Sequence, residues 1–487
     1  MILLALVLVP ALAAGGAYFL RGGRARSLLL LSCGAIHVAF VAVLWVQRGD
    51  ATALSGWLAV DALGRVVLTL LSMLFLAVAH YSVGYHAALR ARGTRRGRVF
   101  ESCTLAFLAA ASLVALSHHL ALLWIGMEAT TLAVAPLVFD RRDRRSLEAV
   151  WKYLVLSSVG IAFALLGIFL LATAQPTGAE AGRPLVFGDM IEHAALLDPA
   201  WLRAAFVFVA IGFGTKMGLA PMHSWKPDTY GEAPGHVAGL MAGALTSCAF
   251  LGVARVTAIC FAAGQGPFVR PVLIGLGLTS LAIAAAFIVG QGDVRRLLAY
   301  SSVEHMGLLV LGVGLGGTGA YGAVLHTLNN GLAKGLMFLA AGNVVLATGT
   351  SAASEIRGLL RILPVTGTLL VIGLFAVTGS PPFGLFISEF TILRAAFSEQ
   401  HPWVAATTIL LLVVIFVGIA GMILELTYGT PAVGQSAPRQ AAPAERSSLV
   451  LAPALLAFVV LALGVYIPAP LAEALARAAS VLGGHAP

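Results

Sequence analysis

The chain has 487 residues, 59% of them hydrophobic and only 10% charged, with a mean hydropathy of +0.95. A soluble domain carries about 25% charged residues, so the composition excludes a string of globular domains and points to a polytopic membrane protein. A formal net charge of +9 would suggest a nucleic-acid partner in a soluble protein, but these cations crowd into alternate loops of an apolar chain, where they set topology and meet anionic lipid.

Apolar windows of about 20 residues, enough to cross about 30 Å of hydrocarbon, recur almost without pause. They begin near residues 1, 27, 60, 100, 119, 150, 203, 235, 271, 299, 319, 364, 403 and 448, which predicts an all-α fold of about 14 transmembrane helices. The first window, MILLALVLVPALAAGGAYFL, lacks a basic segment before it and has its arginines after it, so it reads as a spanning helix and not as a cleaved signal peptide. The basic loops hold Arg21, Arg24 and Arg26; Arg90, Arg92, Arg95, Arg96 and Arg98; and Arg141, Arg142, Arg144 and Arg145. The same parity continues with Lys226, Arg295 and Arg296, Arg357 and Arg361, and Arg439 and Arg446. The longest opposite loop, about residues 175–200, carries Glu180, Asp189, Glu192 and Asp198. The positive-inside rule then makes the basic loops cytoplasmic and places both termini on the outer side of a bacterial or archaeal cytoplasmic membrane.

Two stretches read as interrupted membrane helices. One is GTKMGLAPMHSWKP over 214–227, continuing to His236, and the other is TGSPPFGLFISE over 378–389. Proline removes a backbone donor, and broken backbone at membrane depth survives only inside protein or beside a wet cavity. Five spans separate the two breaks, which reverses orientation, and paired interrupted helices are the signature of an inverted-repeat transporter. The predicted organisation is therefore an N-terminal region 1–99 with three helices, repeats at 100–262 and 268–428, and a closing region 429–487. The last of these contains a Pro/Ala/Gln-rich cytoplasmic loop over 429–447 and the final span.

The chemistry lies in charges sunk in apolar windows. A charge at the centre of a membrane helix costs about 2.5–3.5 kcal/mol on insertion scales, so Glu128, Lys216, Lys334 and Glu389 need a use, and ion movement is the first candidate. His326, Asn330 and Lys334 stand at i, i+4 and i+8 and cover about 12 Å of one helix face, a spacing for proton relay over water. Glu128 and Lys216 suit each other as an intramembrane pair that stabilises both charges and, on separation, favours release of the lysine proton. Glu304 and His305 fall just inside a span, where a local Glu–His pair capped by Ser301 and Ser302 is the plainer alternative to a relay. Lys152, Arg255, His118, His119 and His223 are expected to reach an interface, and His236 is ambiguous. The four cysteines have no metal-ligand spacing, and the chain has no nucleotide motif, so no cofactor, metal or redox centre is expected.

The segments WIGMEATTLAVAPLV, GTKMGLAPMHSWKPDTYGEAP, GDVRRLLAYSSVEHMGLL, LHTLNNGLAKGLMFLAAGN and TGSPPFGLFISEF resemble the antiporter-like subunits of respiratory complex I. These are shared with Mrp-type cation/proton antiporters and membrane-bound NiFe hydrogenases. Within that group the chain is most similar to the F component of hydrogenase-4, and the resemblance runs from about residue 100 to 430. It implies two face-to-face inverted bundles of five helices with broken helices seven and twelve. It also implies that Glu128 and Lys216 form the helix-five/helix-seven pair, that His305, His326 and Lys334 lie on the central axis, and that Glu389 marks an exit. Helix eight departs from the relatives, with Met241 and Ser247 where many of them carry a lysine or histidine. His236, Glu304 and Asn330 are secondary candidates. The expected function is proton translocation in a complex I-like or group 4 hydrogenase-like redox pump, with other membrane subunits as partners and H+ or Na+ as the ion. The alternatives are a subunit of a cation/proton antiporter without a redox partner and a scaffold with an inactive channel.

Overall fold

The computed structural model of the chain describes residues 1–47, 51–89, 95–176, 183–430 and 445–487. Arg90, Arg92, Glu180, Arg439, the Arg95 side chain and residues 431–444 of the expected cytoplasmic loop lie outside that description.

The protein is an all-α polytopic membrane protein. Its helices are α1 (Ile2–Phe19), α2 (Gly23–Val46), α3 (Ala62–Ala88), α4 (Arg95–Leu116), α5 (Leu120–Val138), α6 (Arg144–Thr173), α7 (Phe187–Glu192), α8 (Pro199–Met217), α9 (Trp225–Glu232) and α10 (Gly235–Leu240). There follow α11 (Thr246–Ala262), α12 (Gly266–Ile288), α13 (Val294–Leu315), α14 (Thr318–Thr348), α15 (Leu359–Ile362), α16 (Pro364–Val377), α17 (Gly384–Ser398), α18 (Pro402–Tyr428), α19 (Ser447–Val465) and α20 (Ala469–Val481). Among the described residues, 13 helices are long and apolar enough to cross a membrane, with α10 and α11 forming one of them. The window expected near residue 364 is the shorter apolar helix α16, followed after residues 378–383 by α17. A two-stranded hairpin, Thr52–Ala53 against Leu58–Ala59, joins α2 to α3.

Several helices start where an aspartate satisfies backbone N–H groups that have no intrahelical partner. Asp61 accepts from Gly64 N at 2.7 Å, Asp198 from Ala200 N at 2.9 Å, and Asp293 from Arg295 N at 2.9 Å. Asp143 and Ser146 cap each other at the start of α6; the Ser146 backbone N–H, donating to the carboxylate, holds Asp143 below the usual range. Between α13 and α14 the chain reverses through Gly316 and Gly317, at φ 73° and 52°, a backbone conformation that favours glycine.

The layering follows burial. The apolar window of Gly235–Ala262 is wholly inside the protein, and α13 and α14 are nearly so, whereas α1, α2, α18 and α19 form the rim. Rim side chains such as Leu12, Leu28, Val417 and Phe458 are exposed, as lipid-facing residues should be. Small residues let the central helices approach closely. A methyl group on Gly243 would lie 2.8 Å from the Gly331 carbonyl oxygen, and one on Gly235 2.7 Å from Gly342 Cα. The α10–α11 span also contains a π turn over Met241–Leu245, a feature frequent at functional sites.

Helix α8 stops at Met217 and α16 at Val377, and the two stops share local geometry. Gly218 and Gly379 have φ 74° and 60°, and Leu219 N donates to Gly214 O at 2.8 Å as Ser380 N does to Phe375 O at 3.0 Å. Cis peptide bonds precede Pro221 and Pro382. The Gly218/Gly379, Leu219/Ser380 and Pro221/Pro382 pairs are separated by the same number of residues along the chain.

Candidate functional site: ionisable side chains inside the helix bundle

Near the end of α8, Lys216 is fully buried. Its Nζ donates to Thr131 Oγ1 at 2.5 Å and to the Tyr153 hydroxyl at 3.0 Å, and Thr131 Oγ1 donates in turn to Glu128 Oε2 at 3.2 Å. The expected pair therefore meets through a threonine. No direct ion pair links Glu128 to Lys216 among the described residues, because Thr131, one turn on from Glu128, stands between them. The negative C-terminal pole of α8 favours a cation in its last turn, and Trp225 Nε1 donates to Thr215 O at 2.8 Å, closing that helix end without using the lysine.

The second cluster joins α13, α14 and α17. Lys334 Nζ donates to Ser301 Oγ at 2.6 Å, and Ser301 Oγ donates to Glu304 Oε2 at 3.2 Å. The next residue, His305, has Nδ1 3.1 Å from His326 Nε2 and 3.9 Å from Glu389 Oε1. His326 Nδ1 lies 2.9 Å from Ser388 Oγ, which itself donates to Leu385 O at 2.9 Å. The His305–His326 and His326–Ser388 contacts can each run in either direction, set by the tautomers of the two rings. Ser301 and Ser302 lie within α13, whose cap is Asp293, so the alternative in which they cap the helix does not hold. Ser301 instead connects Lys334 to Glu304.

Asn330 stands on α14 between His326 and Lys334, fully buried, and neither its amide oxygen nor its nitrogen has a partner in the protein. Glu389 Oε1 likewise has no hydrogen-bond partner in the protein, His305 Nδ1 lying 3.9 Å away. Buried polar groups of this kind are ordinarily satisfied by water. His305, His326 and Glu389 also offer three ligand atoms within 4.8 Å of one another, a donor set that a transition metal accepts. His236 is fully buried with both ring nitrogens unpartnered. Its ring centre is 4.7 Å from Tyr85 and 5.1 Å from Phe100, beside a cavity of about 420 Å³ lined by Tyr85, Arg96, Arg141, Gly235 and Arg295.

Four cations depart from the sequence-based reading. Arg26, Lys226 and Arg295, read as loop charges, are buried. Arg26 Nε is 2.5 Å from Glu101 Oε2, and Arg295 donates to Ala233 O and Ser351 Oγ. Arg255, read as snorkelling, is also buried, donating to Ser117 O and lying 3.5 Å from Asp61. Hydropathy windows locate spans but do not register which loop-edge residues fold back into the bundle. For Lys226 a signal existed: it lies inside the interrupted stretch, between Pro221 and Pro227. Lys152 behaves as expected, half exposed and paired with Glu148 at 2.7 Å and Asp228 at 2.8 Å.

Residues 117–415 match the family described as NADH:quinone oxidoreductase/Mrp antiporter, TM. A hydrogenase-4 component F homolog from Methylacidiphilum infernorum is 34% identical over 77% of this chain and 78% of its own length. The N subunit of the NADH-quinone oxidoreductase from Desulforudis audaxviator is 30% identical over 91% and 88%. Among solved structures, a chain of the membrane-bound sulfane sulfur reductase, an archaeal respiratory membrane complex, superposes with a TM-score of 0.86 at 23% identity, covering 99% of this chain and 98% of its own. That likeness carries the fold, and the sequence matches carry the family: the chain belongs to the NADH:quinone oxidoreductase/Mrp antiporter transmembrane family.

Proposed function

We propose that the chain is a proton-translocating membrane subunit of a redox-driven complex of the complex I or group 4 hydrogenase kind, working beside other membrane subunits. The observation that carries this reading is a pair of adjoining sets of buried proton carriers, Lys334–Ser301–Glu304 and, from the next residue on, His305 with His326 and Glu389. A static bundle gains nothing from an ammonium on its axis that a leucine would not supply at lower cost. The carriers also favour H+ over Na+, since ammonium and imidazole groups exchange protons while hard cations select oxygen cages.

In this reading Glu128, Thr131 and Lys216 load the first half of the path, and Lys334 holds the proton at mid-membrane. Asn330 positions water between His326 and Lys334, and Glu389 releases toward the outer side. His236 and the arginine-lined cavity beside it supply a cytoplasmic inlet. Moving one charge against 100 mV takes about 2.3 kcal/mol, and one pKa unit is worth about 1.36 kcal/mol. A change of about two units at one carrier, driven by rearrangement in the redox subunits, is then sufficient. The matched geometry at Gly218 and Gly379 supports α8/α9 and α16/α17 as two broken spans of inverted repeats, residues 100–262 and 268–428. The basic loops support an orientation with both termini outside.

The test is Lys334→Ala in the assembled complex, read as proton uptake by inverted membrane vesicles. We expect assembly to persist and pumping to fall below a tenth of the parent's. Unchanged pumping in an assembled complex would sink the reading and leave a scaffold. The family's Mrp branch favours a second reading, cation/proton antiport without a redox partner. It predicts that a sodium gradient alone drives proton movement in vesicles lacking any electron donor.

A further inference from the structure

We infer that Lys226 is the proton carrier that joins Lys216 to Lys334, so that three lysines in series span the first half of the path. The inference rests on the proposed function above.

Lys226 is fully buried in the first turn of α9. Its Nζ donates to Ser302 Oγ at 2.9 Å and to Ser302 O at 3.3 Å. Ser302 follows Ser301, the hydroxyl that holds Lys334. At its other side the Lys226 stem crosses Gly218: a methyl group there would lie 2.3 Å from Lys226 Cε and 2.9 Å from its Nζ. Gly218 is two residues beyond Lys216. The Lys226 ammonium thus stands between the end of α8 that carries Lys216 and the face of α13 that holds Lys334. Tyr230 belongs to the same region, its ring centre 5.9 Å from Lys226 Nζ.

Two considerations separate a carrier from a strut. No carboxylate lies within ion-pair distance of Lys226 among the described residues, so apart from the Ser302 acceptors its ammonium lacks the counter-charge that would make a static cation tolerable. The neighbouring span also offers no substitute. Between His236 and Arg255, the α10–α11 segment contains only Cys248 as an ionisable group, and Ser247 and Thr246 spend their hydroxyl protons on Gly243 O and Ala242 O. A path from Lys216 to Lys334 therefore needs a base from another helix, and Lys226 is placed for it.

In the transfer, an N–H bond breaks on the Lys226 ammonium and one forms on the Lys334 amine, relayed by the Ser302 and Ser301 hydroxyls or by water. The Lys226 amine then takes a proton from the Lys216 ammonium. One proton moves at each step, and nothing is oxidised or reduced.

The experiment uses the whole complex in inverted vesicles with four variants: Lys226→Met, Lys226→Arg, Lys226→His and the control Lys334→Ala. Arginine keeps the charge and a donor for Ser302 but does not release its proton, so a structural role tolerates it and a carrier role does not. Expected are assembly with pumping below a tenth for Met and Arg, and partial pumping for His with its optimum moved to lower pH. Pumping above half of the parent's by any assembled Met or Arg variant overturns the inference, and so does failure of all three Lys226 variants to assemble, which would make the residue a structural one. If Lys334→Ala also pumps normally, it is the proposed function that falls. If Lys334→Ala is inactive while Lys226→Met pumps, only the role of Lys226 falls.

Discussion

Lys334 Nζ on α14 lies 2.6 Å from the Ser301 hydroxyl on α13, and that one hydroxyl is what connects the central ammonium to the Glu304 carboxylate. A hydrogen bond to a charged group is worth about 1.5–3 kcal/mol. Ser301→Ala removes the bond and the hydroxyl of the proposed relay while leaving every titratable group in place. Proton pumping by the assembled complex should then fall about tenfold to a hundredfold, measured as vesicle acidification per electron transferred.

Thr131 plays the matching part in the first cluster, standing between Lys216 and Glu128. Thr131→Val keeps the shape and deletes the hydroxyl, so Lys216 retains only the Tyr153 contact. We expect intact assembly and at least a tenfold loss of pumping. A variant that pumped like the parent would show that the two charges communicate without the threonine.

Gly379 offers a test that changes no charge. At φ 60° its Cβ would stand 2.0 Å from Glu389 Oε2, so Gly379→Ala must displace the carboxylate from its present position. Gly349, at φ 78° with open space around its Cβ position, carries the same backbone penalty without the clash. Gly379→Ala should lower both pumping and thermal stability, whereas Gly349→Ala should lower only stability.

The buried pair Arg26–Glu101 and the exposed pair Arg357–Glu425 have similar separations, 2.5 and 2.6 Å, but should differ in energy. Truncating one partner of a buried pair costs about 3–5 kcal/mol, and an exposed pair contributes about 0–1 kcal/mol. Glu101→Ala should therefore lower the melting temperature of the detergent-solubilised protein clearly, and Glu425→Ala should leave it nearly unchanged.

Helix positions were legible in the chain because they depend on local properties. The windows expected near residues 60, 235 and 319 begin in the structure at Ala62, Gly235 and Thr318, since twenty consecutive apolar residues need no partner to declare a span. The central ionisable residues were legible for a related reason: Lys334 or Glu389 in such a window is costly wherever the helix packs. Their partners were not. Thr131, Ser301 and Ser388 are ordinary hydroxyl residues in sequence, and only the approach of α5 to α8, of α13 to α14 and of α14 to α17 turns them into links. Lys226 and Arg26 show the same limit from the other side, counted as loop charges by position and buried by the fold. Cost of burial is a property of the residue and its window, whereas a hydrogen-bond partner comes from a helix far away in sequence. The chain could therefore announce that it holds charges inside the membrane, and helix packing chose which groups they touch.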